Sequence, residues 1–250
     1  MSELRFDDVT VRFGTGRRAL TAVDRVSLTI PHGEVVGLVG ESGSGKSTLA
    51  RAAVGLVDVY SGVIKVDNVP LPKHGRHLGV QMVFQDPTAS LDPRMTAGAA
   101  IDEAVSKQMS RPERAAEVAH LLDLVHLDPS HVRSYPGQLS GGQRQRVALA
   151  RALASHPSII IADEITSSLD VSIQGAILNL VRELVGELDL TMLFISHNLA
   201  VVRYVAAQIA VMWRGHIVEE GPTGQILENP SHPYTRQLLA GVLESPINPT

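Results

Sequence analysis

Near the N-terminus, apolar and polar positions alternate with a period of two. Leu4, Phe6, Val9, Val11 and Phe13 lie among Arg5, Asp7, Asp8, Thr10 and Arg12, and Val23, Val26, Leu28 and Ile30 follow a Gly-Thr-Gly-Arg-Arg turn. The pattern predicts two antiparallel strands. Val35, Val36, Leu38 and Val39 then form a short apolar run bounded by glycine, as in a buried parallel strand. A helix is expected from near Gly45 to Leu56, with Gly55 near its end. Tyr60-Ser61-Gly62 turns into a strand over 63–67, and 78–85 reads as a further apolar strand ending in the amide of Gln85.

From Asp86 to Gly137 the pattern changes. A proline-punctuated loop, Asp-Pro-Thr-Ala-Ser-Leu-Asp-Pro-Arg, precedes helical spacing of Ala, Val, Leu and Ile over 97–109 and 112–127. Pro112 stands where a first-turn proline belongs, beside Glu113. A helical insert between strands predicts a subdomain with its own surface, suited to docking a partner. A helix is expected over 144–155, a buried strand over 158–164 ending in two carboxylates, and another over 191–197 ending in His197.

The apolar run at Val35 leads into Gly40, Glu41, Ser42, Gly43, Ser44, Gly45, Lys46, Ser47 and Thr48, which contain the pattern G-x-x-x-x-G-K-[ST]. Glycines admit positive φ, so successive N–H groups can converge on an anion where the following helix also presents its unpaired donors and dipole. Lys46 would reach the β and γ phosphates, and the Ser47 hydroxyl would ligate Mg²⁺. Such a site takes a nucleoside triphosphate. Upstream, Phe13 ends its strand beside the turn and is the candidate to stack on adenine; the competing reading is a core aromatic. Gln85 could face a metal or water near the γ-phosphate, or serve as a turn amide.

Leu139-Ser140-Gly141-Gly142-Gln143 places a hydroxyl and two glycines before a helix, a second anion-binding N-terminus. One nucleotide on one chain has little use for both turns. A head-to-tail pair of chains does, each laying Ser140 to Gln143 on the γ-phosphate held by the other.

Composition narrows the partners. The chain has 250 residues, enough for a real core, and 22 Lys plus Arg against 26 Asp plus Glu leave a net charge of −4. That balance argues against nonspecific nucleic-acid binding. With no cysteine there is no disulfide and no cysteine-ligated zinc or iron–sulfur cluster. The first residues lack the basic and apolar regions of a signal peptide, and no apolar run approaches the roughly 18 residues that span a bilayer. Any membrane role is expected to come through partners. His74 and His77 are close in sequence, but no third metal ligand accompanies them.

With these motifs the chain resembles the nucleotide-binding subunits of ATP-binding cassette (ABC) transporters, in which L-S-G-G-Q is the signature sequence. The resemblance covers essentially the whole chain. It implies an α/β P-loop NTPase fold, the ABC nucleotide-binding domain, with a mixed sheet core, an N-terminal antiparallel β subdomain and an inserted α-helical subdomain. Residues 1–250 would form a single ABC ATPase domain, with the helical subdomain at about 86–155 and a family tail at about 222–250. It further implies that Asp163 holds the Mg²⁺ shell, Glu164 polarises the attacking water, Gln85 ligates Mg²⁺ and senses it, and His197 contacts the γ-phosphate as a switch. Ser168-Leu169-Asp170 matches the loop that crosses to the partner subunit. Ile165 stands where the family usually has proline and Ser168 where alanine is common; neither removes a ligand.

Gln85-Asp86-Pro87, Ser90-Leu91-Asp92-Pro93-Arg94 and Glu228-Asn229-Pro230-Ser231-His232-Pro233-Tyr234-Thr235 look like the ATPases of dipeptide, oligopeptide, nickel and metallophore importers. The tail, ending at Thr250 without cysteine, is expected to mark a short member with no cluster-binding extension. The implied activity is ATP hydrolysis driving import, with ATP and Mg²⁺ as cofactors. The implied partners are a second ABC ATPase subunit, alike or related, two transmembrane permease subunits and, indirectly, an external binding protein, at the cytoplasmic face of the plasma membrane. The alternatives are a soluble ABC ATPase of nucleic-acid repair or translation and a P-loop kinase. Repair-type members insert long coiled coils, translation-type members usually join two cassettes, and a kinase does not explain Leu139 to Gln143.

Overall fold

The computed structural model describes residues 2–14, 16, 19–72 and 79–243, with side chains throughout except at 88–89 and 241–243. In chain order the elements are β1 (Leu4–Phe13), β2 (Leu20–Ile30), β3 (Val35–Val39), α1 (Lys46–Ala53), β4 (Ser61–Val66), β5 (Val69–Pro70) and β6 (Val80–Val83). Then follow α2 (Pro87–Ser90), α3 (Ala97–Asp102), α4 (Arg111–Leu124), α5 (Gly141–Leu153), β7 (Ile159–Asp163) and α6 (Val171–Leu188). The chain closes with β8 (Thr191–Ser196), α7 (Leu199–Val205), β9 (Gln208–Trp213), β10 (His216–Pro222), α8 (Thr223–Glu228) and α9 (Pro233–Leu243). No helix among the described residues is long and apolar enough to cross a membrane. His74, His77 and Leu78 lie outside the described residues.

The chain divides into two compact units, Met1–Arg76 with Thr191–Thr250, and His77–Leu190. In the first, an antiparallel sheet of order β2-β1-β4-β5 confirms the strands read from the alternation. Leu4, Phe6, Val9 and Val11 are buried, although Asp7 and Asp8 break the alternation with an irregularity between Phe6 and Val9 that gives Asp8 a φ of 51°. The same unit carries β10-β9-β3-β8, in which β3 runs parallel to both β8 and β9 while β10 pairs antiparallel with β9. All five residues of β3 are buried, the expected consequence of an unbroken apolar run flanked by strands on both edges.

In the second unit β6 pairs parallel with β7, and α5 packs against α2, α3, α4 and α6. Val147, Leu149 and Ala150 of α5 are fully buried, as are Ile159, Ile160 and Ile161 of β7. Burying each of the larger aliphatic side chains stabilises the fold by about 1.5–3 kcal/mol. α4 opens as its sequence predicts, with Pro112 in the first turn and the Ser110 N–H donating to Glu113 at 2.6 Å.

Several elements are shorter than their patterns predict. α1 stops at Ala53 because Gly55 takes φ 72° and Leu56 N–H turns back to the Arg51 carbonyl at 2.9 Å. The helix expected over 97–109 ends at Asp102, and beyond it the Ser106 hydroxyl accepts from the Gln108 N–H at 3.3 Å, a local bond that competes with helix. β6 covers only Val80–Val83, so Phe84 and Gln85 are exposed beyond its end.

The segment after α8 is tied to β10 through Glu219. One carboxylate oxygen accepts from the Ser231 N–H and hydroxyl, both at 2.7 Å, and the other accepts from the His232 N–H at 3.1 Å. Burial raises the Glu219 pKa, but the hydrogen-bond donors around its carboxylate, Ser231 and His232 among them, outweigh burial and bring the value from 4.5 to about 2. A carboxyl depressed in this way stabilises the fold above its unfolded value and ceases to as pH falls through its folded one. Glu219→Gln is therefore less stable than the parent at pH 7, and the gap narrows below pH 4.5 and closes near pH 2. Denaturant unfolding across that range checks this; a gap independent of pH contradicts it.

Candidate nucleotide site

At the carboxyl end of β3 the chain turns through Gly40 to Gly45 into α1. Gly40, Gly43 and Gly45 take φ of 151°, 82° and 109°. A Cβ on Gly40 would lie 2.1 Å from the Met212 carbonyl oxygen, and one on Gly45 would lie 2.5 Å from that of Ala22. Those two positions accept no side chain. The turn is braced from outside by the Gly215 N–H, which donates to the Ser44 carbonyl at 2.9 Å. Lys46 is only 4% exposed, and its ammonium donates to the Gly40 and Glu41 carbonyls at 2.7 and 2.8 Å. Glu41, Ser42 and Gly43 are exposed, Ser44 is buried, and Ser47 and Thr48 are half-buried in the first turn of α1. This is a backbone cradle with a positive charge at its floor, suited to a phosphate chain.

In the same unit β8 runs beside β3 with Val39 opposite Ser196, so Gly40 and His197 leave the sheet at the same end. His197 is exposed, and Asn198 caps α7 by accepting from the Ala200 N–H at 3.0 Å. Phe13 is 44% exposed at the end of β1 opposite Leu20, so it is not a core aromatic.

The second unit gathers Gln85, Asp163 and Glu164. Asp163 ends β7 at 4% exposure, and Glu164 follows with a φ of 49°, in the left-handed region where a Cβ is strained. The turn is held by Ser167, whose N–H and hydroxyl donate to the Glu164 carbonyl at 3.1 and 2.9 Å. The Gln85 amide nitrogen donates to the Glu164 carboxylate at 3.0 Å. With its nitrogen so engaged, Gln85 keeps its amide oxygen as an acceptor or ligand. The Gln85 amide oxygen and the Asp163 carboxylate are hard oxygen donors, of the kind that fits Mg²⁺ rather than a softer metal. Among the described residues no group of three His, Cys, Asp or Glu could hold a metal by itself. Ile165, at the position where the motif departs from its usual proline, is fully buried.

The Ser140 turn is a capping box on α5. The Ser140 N–H donates to the Gln143 side-chain oxygen at 2.8 Å, and the Gln143 N–H donates to the Ser140 hydroxyl at 3.2 Å. By α-helix geometry the N–H groups of Gly141 and Gly142, in the first turn, have no acceptor within the helix. A Cβ on Gly142 would lie 2.6 Å from Ile173, so close packing on α6 also requires glycine there. His131 carried no sequence signal, yet its Nε2 accepts from the Gln143 amide at 2.9 Å and orients the box. Tyr234 was equally silent in this respect: its hydroxyl accepts from the Glu41 N–H at 2.9 Å across 193 positions of sequence.

Fold and phosphate cradle together define an α/β P-loop nucleotide-binding protein. The profile of the ABC transporter family matches residues 23–167. The chain belongs to the ABC transporter family, among its ATP-binding subunits. A protein of Brucella abortus (strain 2308) named for peptide import ATP binding is 47% identical over 254 residues, covering 96% of this chain and 76% of that one. A glutathione import ATP-binding protein of Escherichia coli (strain K12) is 48% identical over 233 residues, covering 90% of this chain and 37% of that protein. Among solved structures, a dimeric ATP-binding cassette in a post-hydrolysis state with ADP and Pi matches with a TM-score of 0.77 at 30% identity, over 88% of this chain and 98% of that one. The cbiO1 chain from Clostridium perfringens, part of the ABC transporter complex cbiONQ, matches with a TM-score of 0.80 at 26% identity, over 90% of each.

The left-handed Glu164 yields a test. Relative to Glu164→Ala, Glu164→Gly relieves the Cβ strain and is more stable by about 1 kcal/mol. Thermal unfolding measures it; an alanine variant as stable as the glycine one would contradict the strain.

Proposed function

We propose that this chain is the ATP-hydrolysing subunit of an importer for peptides or related small solutes, with nickel or a metallophore within the range of cargo. The observation that carries the reading is one chain holding both a phosphate cradle at Gly40–Ser47 and a second, differently built helix start at Ser140. The names of the relatives favour import over nucleic-acid repair or translation.

ATP would lie along the cradle, its phosphates on the loop N–H groups and its adenine on the exposed ring of Phe13. Lys46 turns from its loop carbonyls to the β and γ oxygens. Mg²⁺, when bound, neutralises charge on those oxygens, and Ser47, Gln85 and Asp163 would hold it. Glu164, fixed by the Gln85 amide, orients a water and takes its proton as the water oxygen bonds to the γ-phosphorus and the bridging oxygen leaves with ADP. His197 hydrogen-bonds the γ-phosphate. Ser140, Gly141, Gly142 and the Gln143 turn complete the site on the nucleotide of a second ATPase subunit, so that hydrolysis removes the bridge between the two.

The permeases would dock on the helical insert. Around Asp102, Arg111 and Arg114 lies a groove of about 580 Å³, also lined by Thr96, Gly98 and Val132, and Asp92 and Arg94 stand nearby in sequence as an exposed ion pair at 3.0 Å. The complex would sit peripherally on the cytoplasmic face of the plasma membrane.

Lys46→Ala is expected to lower ATP affinity by at least about tenfold, since charge-assisted bonds to phosphate contribute about 1.5–3 kcal/mol each; calorimetry that finds normal binding removes Lys46 from the role. Glu164→Gln is expected to bind ATP normally, to lose turnover by two or more orders of magnitude, and to accumulate an ATP-loaded dimer in the assembled transporter. Unchanged phosphate release would take Glu164 out of the mechanism. Reversing the charge of Arg94 should reduce copurification of permeases, and full recovery would place docking elsewhere.

A further inference from the structure

The peptide plane joining Gly40 to Glu41 is gripped at both ends. Its carbonyl accepts from the Lys46 ammonium at 2.7 Å, and its N–H donates to the Tyr234 hydroxyl at 2.9 Å. Tyr234 is 5% exposed at the second position of α9, and its ring stacks on Trp213 with centroids 5.4 Å apart and planes at 26°. Trp213 ends β9, one residue beyond the Met212 carbonyl that presses on Gly40, and Arg214 lies over its ring at 4.7 Å. The backbone leading into α9 is fixed in turn by Glu219, through Ser231 and His232. Burial pushes the Tyr234 phenol above its usual range, and its oxygen accepts from the Glu41 N–H.

We propose that Tyr234 is a positioning residue for ATP: the segment from Pro230 into α9 sets the orientation of the Gly40–Glu41 peptide, and with it the affinity of the phosphate cradle. The inference rests on the cradle binding ATP, as proposed above. When Lys46 turns to phosphate oxygens, the Gly40 carbonyl loses that partner, and the bond to Tyr234 becomes the one that holds the plane. Without it the peptide can rotate, and the neighbouring N–H groups no longer converge before the anion arrives. The cost falls on binding rather than on chemistry, because Tyr234 touches neither the γ-phosphate nor the attacking water. A loosened tail would weaken ATP binding in the same way.

The full chain supplies its own reporter, because Trp213 is its one tryptophan and lies against Tyr234. Tyr234→Phe keeps the ring and removes only the acceptor. Titrating ATP into the full chain, read by Trp213 emission and by calorimetry, should show binding about 3- to 10-fold weaker in this variant, the range one hydrogen bond supports. In steady-state hydrolysis KM should rise by a similar factor with kcat unchanged, and hydrogen exchange at the Glu41 amide should accelerate. A purely packing role predicts a lower unfolding temperature with KM unmoved, which overturns the proposal. Glu219→Gln, assayed well below its unfolding temperature, should shift affinity in the same direction if Tyr234→Phe proves too unstable to titrate; unchanged affinity there also overturns it. A parent chain that binds no ATP by calorimetry defeats the assignment of the cradle instead, so the two failures are distinct.

Discussion

The candidate nucleotide site depends on a short turn whose backbone only glycine adopts readily. Three glycines with positive φ let the chain leave β3 and enter α1 through a turn that L side chains rarely adopt. That arrangement is costly in isolation, because glycine loses the most backbone freedom on folding. The surroundings offset the cost. Lys46 bridges two loop carbonyls, the Gly215 N–H holds Ser44, and the Met212 and Ala22 carbonyls leave room only for hydrogen at Gly40 and Gly45. The buried β3 supplies a rigid base, and its parallel partner β8 releases His197 at the same end.

The second unit solves a different problem with similar means. Asp163 is carried by a fully buried strand, and Glu164 is then turned by a left-handed backbone that Ser167 and Gln85 pin in place. Strain at this residue is tolerated because the surrounding bonds over-determine it. The Ser140 turn is also pre-organised. Its capping box uses one donor from each of Ser140 and Gln143 and leaves Gly141 and Gly142 at the helix start. A chain equipped with two anion-ready helix starts is naturally read as half of a shared site.

Much of this was legible in the residue pattern, and the reasons are physical. The apolar run Val35–Val39, the glycine spacing after it and the Leu139–Gln143 segment are local signals, and local backbone geometry follows from them. The alternation from Leu4 to Phe13 also predicted the antiparallel pair, while the exposure of Phe13 takes it out of the core. What the pattern did not disclose was set by competition or distance. The helix from Ala97 ends early, and beyond it the Ser106 hydroxyl bonds locally to the Gln108 N–H. The φ of Glu164 follows from how β7 must turn, and nothing in Asp-Glu announces it. His131 and Tyr234 act through partners 12 and 193 positions away, where periodicity carries no information.

The central claim is that ATP on one subunit is completed by the serine–glycine turn of another. The most direct test is to isolate the native membrane assembly through this chain, load it with a non-hydrolysable ATP analogue, and determine its structure. The account predicts the Ser140 hydroxyl within about 3 Å of a γ-phosphate oxygen on the facing subunit's nucleotide. It is contradicted if Ser140 stays out of hydrogen-bonding reach of any neighbouring triphosphate in every captured state.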